Sequence, residues 1–156
     1  MKESWKTKLK RWRFNCIPCY WGTGAHVSYL SNDFREIQVT LPLNWRTRNY
    51  VGTTFGGSIY GALDPIYMLM LIKNLGPEYI VWDKTATVHF KKPGRTALCA
   101  KFLLTAKELS DIQDELTRSR SIERKYLVDL IDDRNVVHAS VEKVIYIRKR
   151  GNSKSP

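Results

Sequence analysis

Three cysteines among 156 residues cannot complete a disulfide framework, so the fold has to be held by its core. No secretory leader is expected, because residues 1–13 are cationic and lack the continuous apolar stretch of a signal peptide. No uncharged apolar run reaches the roughly 18 residues that a membrane-spanning helix needs. Together these absences make a reducing cytoplasm the expected location. Histidines are also few. His26, His89 and His138 are far apart and none has local metal-motif spacing, so they read as ordinary strand or surface histidines and no metal is expected. Ser58 follows two glycines without the G-x-S-x-G arrangement, which argues against a serine nucleophile. There is no internal repeat, and no low-complexity block outside the ends.

Positive charge, by contrast, is plentiful: the net charge is +11. Its location decides what it means. Residues 1–13 hold six cations against Glu3, a net +5, and residues 148–156 hold four more. The body between them keeps only +2 of the total. Basic ends of this kind could touch nucleic acid or an anionic membrane. Solvated tails that favour solubility are the preferred reading.

Trp5, Leu9 and Trp12 recur at helical spacing, predicting a short amphipathic helix over 4–15 with its tryptophans packed on the domain. Cys16-Ile17-Pro18-Cys19 has CxxC spacing, but Pro18, Tyr20 and Gly22 mark a turn leaving a helix. The two cysteines are therefore read as structural rather than redox-active. Strands are expected over 26–30, 34–41, 79–90, 97–106, 126–131 and 136–147, with turns at Ser31-Asn32-Asp33, Lys91-Lys92-Pro93-Gly94 and Asp132-Asp133-Arg134-Asn135. Ser110 and Gln113 have capping-box spacing, predicting a short helix over 110–119. Antiparallel strands around one long apolar helix make an α+β domain.

That helix occupies residues 56–75 and ends at Gly76-Pro77. It is apolar nearly all round, as a buried helix should be. Tyr60, Asp64, Tyr67 and Leu71 share one face, and Asp64 is the sole charge between Arg48 and Lys73. Desolvation there should raise the carboxyl pKa, which suits a general base. Asp64-Pro65 is equally a helix-start signature, with Asp64 as N-cap and Pro65 at the first helical position. Composition and spacing leave both readings open. Asp83-Lys84 reads as a simple ion pair, with a site role as the lesser alternative.

Asn49-Tyr50-Val51-Gly52-Thr53-Thr54-Phe55-Gly56-Gly57 and Asp64 together resemble the signature of the phenylacetyl-CoA-type hotdog thioesterases. Asn49, Gly52, Gly56, Gly57 and Asp64 are in register with it. Phe90-Lys91-Lys92-Pro93-Gly94 looks like the turn after that family's third strand. Leu63-Asp64-Pro65 and Trp82-Asp83-Lys84 are more similar to an uncharacterised branch of the same acyl-CoA thioesterase superfamily. The resemblance implies a hotdog fold, with an antiparallel sheet wrapped around one long central helix, over residues 25–148. A helix and turn at 1–24 precede it, and a basic disordered tail at 149–156 follows.

It further implies an acyl-CoA substrate, no bound cofactor, and a homodimer or homotetramer. Asp64, Asn49 and Gly56 would be catalytic, with Asp64 activating water and the Gly56 and Gly57 amides opening the helix as an oxyanion site. Tyr60, Tyr67, Lys91, Lys92 and Arg95 would meet the substrate. The eight residues from Gly56 to Asp64 span about 12 Å of helix, so one helix does not place both on one carbonyl. A twofold pair of chains would. Two departures stand out: Phe55 occupies the position of the family's His, and Pro65 directly follows the carboxylate. A hotdog dehydratase would supply a catalytic histidine near the helix, and none is there. A non-catalytic acyl-CoA or lipid-binding hotdog protein is the alternative, followed by an adaptor for nucleic acid or membrane acting through the basic ends.

Overall fold

Alternating burial runs along most strands of the computed structural model, which describes residues 3–151. In β1 (His26–Leu30), β2 (Glu36–Leu41) and β4 (Leu98–Leu103), inward residues such as Val39, Leu41, Leu98 and Phe102 are fully buried. The order along the chain begins with α1 (Trp5–Asn15), α2 (Pro18–Gly22), β1 and β2. Next come α3 (Gly56–Leu63), α4 (Ile66–Leu75), β3 (Tyr79–Phe90) and β4, followed by α5 (Ala106–Arg118), β5 (Ser121–Ile131) and β6 (Val137–Lys149). One antiparallel sheet takes the order β1-β2-β4-β5-β6-β3. The sheet packs against α3 and α4, whose Ala62, Leu63, Ile66, Met70 and Leu71 have no solvent contact. Each of the leucine, isoleucine and methionine side chains stabilises the fold by about 1.5–3 kcal/mol relative to exposure. The expected hotdog architecture is present, with the central rod made of two helices rather than one uninterrupted helix.

Pro65 is the cause. The Asp64 amide still donates to the Tyr60 carbonyl at 2.9 Å, but Pro65 has no N–H to continue the ladder. Helical bonding resumes with the Leu69 amide on the Pro65 carbonyl at 2.9 Å.

Five expectations need correction. The helix predicted over 110–119 starts at Ala106, because Thr105 accepts the Glu108 amide at 3.0 Å and Ile112 and Leu116 dock in the core. Ser110 is merely an exposed residue within it. Second, β5 starts at Ser121 rather than 126. Its exposed Glu123 and Lys125 are carried by backbone pairing with β6, opposite Tyr146 and Val144. Third, the turn expected at Pro18, Tyr20 and Gly22 is the short helix α2, and Cys16 before it and Cys19 within it are exposed free thiols, not packed structural residues.

The fourth concerns α1. Trp5 and Trp12 are 70% and 63% exposed, with Leu9 beside them, while the polar side of the helix faces the domain. The physical reason is β1, an edge strand with unpaired backbone groups. Asn15 bonds both the amide and the carbonyl of Val27 at 2.7 and 3.0 Å. Glu3 accepts the Leu30 amide at 3.1 Å and pairs with Arg11. Fifth, the tail expected at 149–156 starts later: Lys149 ends β6 opposite Tyr79 and the Arg150 amide donates to the Glu78 carbonyl, while residues from 152 onward fall outside the described ones. Among the described residues no helix is long and apolar enough to cross a membrane.

Candidate functional site

Asp64 is not the N-cap of a helix. Its residue is the C-cap of α3, Pro65 stands at the N-cap position of α4, and α4 has no side-chain cap bond. The carboxylate instead belongs to a cluster under the β3–β6 end of the sheet. Its Oδ1 accepts the Tyr60 hydroxyl at 2.6 Å and the Lys143 ammonium at 3.1 Å. Lys143 also donates to the Asp64 backbone carbonyl, at the break between the two helices. On its other side Lys143 meets Asp83 Oδ2 at 2.9 Å. The ammonium is wholly buried, while the Asp64 and Asp83 side chains are 42% and 22% exposed.

This arrangement departs from the desolvated setting expected for Asp64. Its side chain is substantially exposed and charge-paired, and its Oδ2 has no hydrogen-bond partner among the described residues. Asp83 is the desolvated member. Burial raises its carboxyl above the ordinary range, Lys143 opposes that shift, and the Asp64 charge adds to it. Asp83 Oδ1 is buried without a partner. Burial and the bond to Asp64 push the Tyr60 phenol far up, so Tyr60 stays a hydrogen-bond donor at neutral pH. The ion pair expected between Asp83 and Lys84 is absent: Lys84 pairs with Glu123.

Lys143 was not among the expected site residues. The available signal is parity. Ala139, Val141, Ile145 and Ile147 of β6 point into the core, and Lys143 shares their side of the strand. A lysine on an apolar face needs a partner. Asp83 likewise follows Val81 on the inward side of β3, just before the irregularity between Asp83 and Thr85.

A second, separate place gathers the other expected residues. A cavity of about 370 Å³ opens at the start of α3, with Asn49, Gly56, Phe90, Lys91 and Lys92 on its wall. No side chain caps this helix, whose first amides lack helical partners. A Cβ on Gly56 would sit 3.1 Å from the Phe90 ring, and one on Gly57 only 2.4 Å from the Phe55 ring. Two aromatic walls thus flank the first turn, and Phe55 covers Gly57. The Asn49 side chain holds its own loop: Oδ1 accepts the Val51 and Thr53 amides at 3.1 and 3.0 Å, and Nδ2 donates to Thr53.

Lys91 and Lys92 present exposed side chains while their amides bond the His138 carbonyl. Arg95 is exposed and away from the wall. Tyr67 joins neither place. It is buried, stacked on Tyr126 at 4.3 Å and edge-on to Phe102 at 5.0 Å. His138 is a buried strand residue whose ring nitrogens meet the Pro93 carbonyl and Asp132, both at 3.1 Å, and so tie down the β3–β4 turn. No cluster of metal-ligating side chains occurs among the described residues.

A family model described as "Domain of unknown function (DUF4442)" matches residues 6–147. No curated protein matches the chain. Among solved structures, a protein of unknown function from Pseudomonas aeruginosa, named "probable thioesterase", superposes with a TM-score of 0.79 at 16% identity. The match covers 92% of this chain and 95% of that one. A thioesterase from Haemophilus influenzae gives 0.69 at 13% identity, over 99% of this chain and 97% of its own. At these identities the likeness is one of fold, and that fold is the hotdog fold.

Proposed function

The chain belongs to the DUF4442 family, and from the geometry of Asp64 we propose that it is a thioester hydrolase acting on an acyl-CoA. One observation carries the reading: the Asp64 carboxylate makes no N-cap bond and is held at Oδ1 by Tyr60 and Lys143, with Oδ2 open to solvent. A carboxylate fixed through one oxygen and open at the other is arranged to take a proton from water.

In the proposed reaction, water on Asp64 Oδ2 gives up a proton as its oxygen attacks the thioester carbonyl carbon. The carbonyl oxygen gains negative charge against the free amides that open α3. The carbon–sulfur bond then breaks, the carboxylic acid forms, and the departing thiolate receives the proton from Asp64. Lys91 and Lys92 supply positive charge for the phosphates of coenzyme A beside the cavity at Gly56.

Asp64 is not on the wall of that cavity, so the two halves of the reaction would come from two chains. The free edge of β3, twelve residues long with Trp82 and Phe90 exposed, supports a homodimer, with a homotetramer as the larger assembly. The names of the structural relatives agree with this chemistry.

Two observations favour the non-catalytic alternative: Phe55 replaces an imidazole, and Asn49 is committed to its loop. A panel of acyl-CoA thioesters, assayed by thiol release with wild type and Asp64→Asn, separates the two. Hydrolysis by wild type that falls at least about a hundredfold in Asp64→Asn is expected. Equal rates in both proteins, or no release above background from any thioester, would overturn the hydrolase reading.

A further inference from the structure

A cavity of about 460 Å³ lies between α1, β1 and α4, remote in sequence from Asn49–Gly57 and sharing no wall residue with the cavity at Gly56. Its volume is within the range that accommodates small organic ligands. Phe14, Ile17, Val27, Leu30, Ile37 and Leu69 make its interior apolar. The rim is cationic, formed by Lys10 and Arg13 of α1 and Lys73 of α4.

Three features make this more than a surface dimple. First, among the described residues none of Lys10, Arg13 and Lys73 is paired with a carboxylate. Second, Lys10 and Lys73 come from different elements yet converge on one ring, their ammonium groups 5.3 and 5.9 Å from the centroid of Phe34. Third, Phe34 occupies the left-handed region with φ 56°, a conformation disfavoured for a bulky residue. The turn is pinned there by Ser31, which donates to Asp33 at 2.6 Å and accepts the Arg35 amide at 3.1 Å. The strained turn places the Phe34 ring in the wall of the apolar cavity, with two cations over it.

An apolar interior closed by uncompensated positive charge is complementary to one kind of molecule. We infer that the cavity binds a single-chain anionic amphiphile, with its hydrocarbon chain among Phe14, Leu30 and Leu69 and its anionic head between Lys10 and Lys73. Arg11 is already committed to Glu3, at 2.9 and 3.0 Å, and serves the wall rather than the head group. The inference rests on the cavity and its charges alone, and stands whether or not Asp64 is catalytic.

The test uses the full chain and dodecanoate below its micellar concentration, followed by titration calorimetry. One dodecanoate per chain is expected to bind. Lys10→Gln/Lys73→Gln, both exposed positions, should weaken it by about tenfold or more, the loss of charge-assisted contacts to the head group. Dodecanol, which has the same chain without the charge, should bind weakly and equally to both proteins. Leu69→Trp should abolish binding by filling the cavity, and Asp64→Asn should leave it unchanged. Absence of dodecanoate binding, or affinity indifferent to the lysine pair, would overturn the inference. So would loss of binding in Asp64→Asn, which would move the ligand to the proposed hydrolytic site. Binding to phosphatidylglycerol vesicles without binding of free dodecanoate would also overturn it, because the occupant would then be a membrane surface.

Discussion

Replacing Lys143 by Met shortens the unbranched side chain by one atom and removes a charge that has no solvent contact. The loss does not strand its two partners equally. Asp64, 42% exposed and still bonded to Tyr60, can be solvated. Asp83, 22% exposed, loses its ion pair on Oδ2 while its Oδ1 already lacks a partner. Breaking a buried pair costs about 3–5 kcal/mol. Because one of the two carboxylates can return to water, the low end, about 3 kcal/mol at neutral pH, is expected.

The pH dependence follows from Asp83. Its carboxyl is already raised by burial, against the opposing effect of Lys143, and without the ammonium that effect is unopposed. A carboxyl raised in the folded state is protonated in both states at low pH and costs little there. As pH rises through the folded value, the cost grows to its full size. The gap between wild type and Lys143→Met should therefore be smaller near pH 4 than near pH 7. Urea unfolding at both pH values measures it, with Lys143→Met/Asp83→Asn as a third protein that removes the stranded charge and should recover much of the loss. A gap below about 1 kcal/mol at neutral pH, the size of an exposed pair, would refute the reasoning. So would a gap independent of pH, or a double variant no more stable than the single one.

Thr105→Ala should cost about 1 kcal/mol in urea unfolding by removing the cap of α5, whereas Ser110→Ala should be near neutral; the reverse order would restore the later helix start. Gly94→Ala should destabilise by about 1–3 kcal/mol, since its Cβ would approach the Thr54 hydroxyl to 2.5 Å, and an unchanged melting temperature would contradict the tight packing of that turn. The Ser31 hydroxyl, ahead of the Arg35 side chain and amide, draws the Asp33 carboxyl down from 3.8 to about 2. A depressed carboxyl stabilises the folded state fully above its unfolded value and loses that contribution as pH falls through the folded one. Asp33→Asn should therefore be less stable than wild type at neutral pH and converge with it toward pH 2, as seen in unfolding curves across that range. A constant gap across the range would exclude the shift.

Where apolar periodicity and tertiary packing agree, residues alone locate the structure. The rod over 56–75 and the inward Val39, Leu41, Val141 and Ile145 are examples, because burial is the force that shapes them. The departures occur where backbone hydrogen bonding or charge pairing overrides apolar patterning. Polar Glu123 and Lys125 belong to β5 because β6 supplies backbone partners opposite them. Lys143 looks like a surface lysine until its parity with Ala139 and Ile147 is followed inward. Its partners then prove to be separated from it by 79 residues in one case and to lie on the neighbouring strand in the other. No spacing rule reaches that far.

The inversion of α1 is the same effect at a larger scale. A helix bearing Trp5, Leu9 and Trp12 should bury them if its neighbour offers apolar surface, but an edge strand offers amides and carbonyls. Glu3, Arg11 and Asn15 take those groups, so the polar side of the helix turns inward and the aromatic side is left outside. Phe14 alone follows the polar face toward the domain, where it stands 4.6 Å from Tyr20 and helps wall the cationic cavity. The choice that exposes the tryptophans is thus the one that brings Lys10 and Arg13 to the mouth of an apolar hole, and both follow from a single unpaired strand edge.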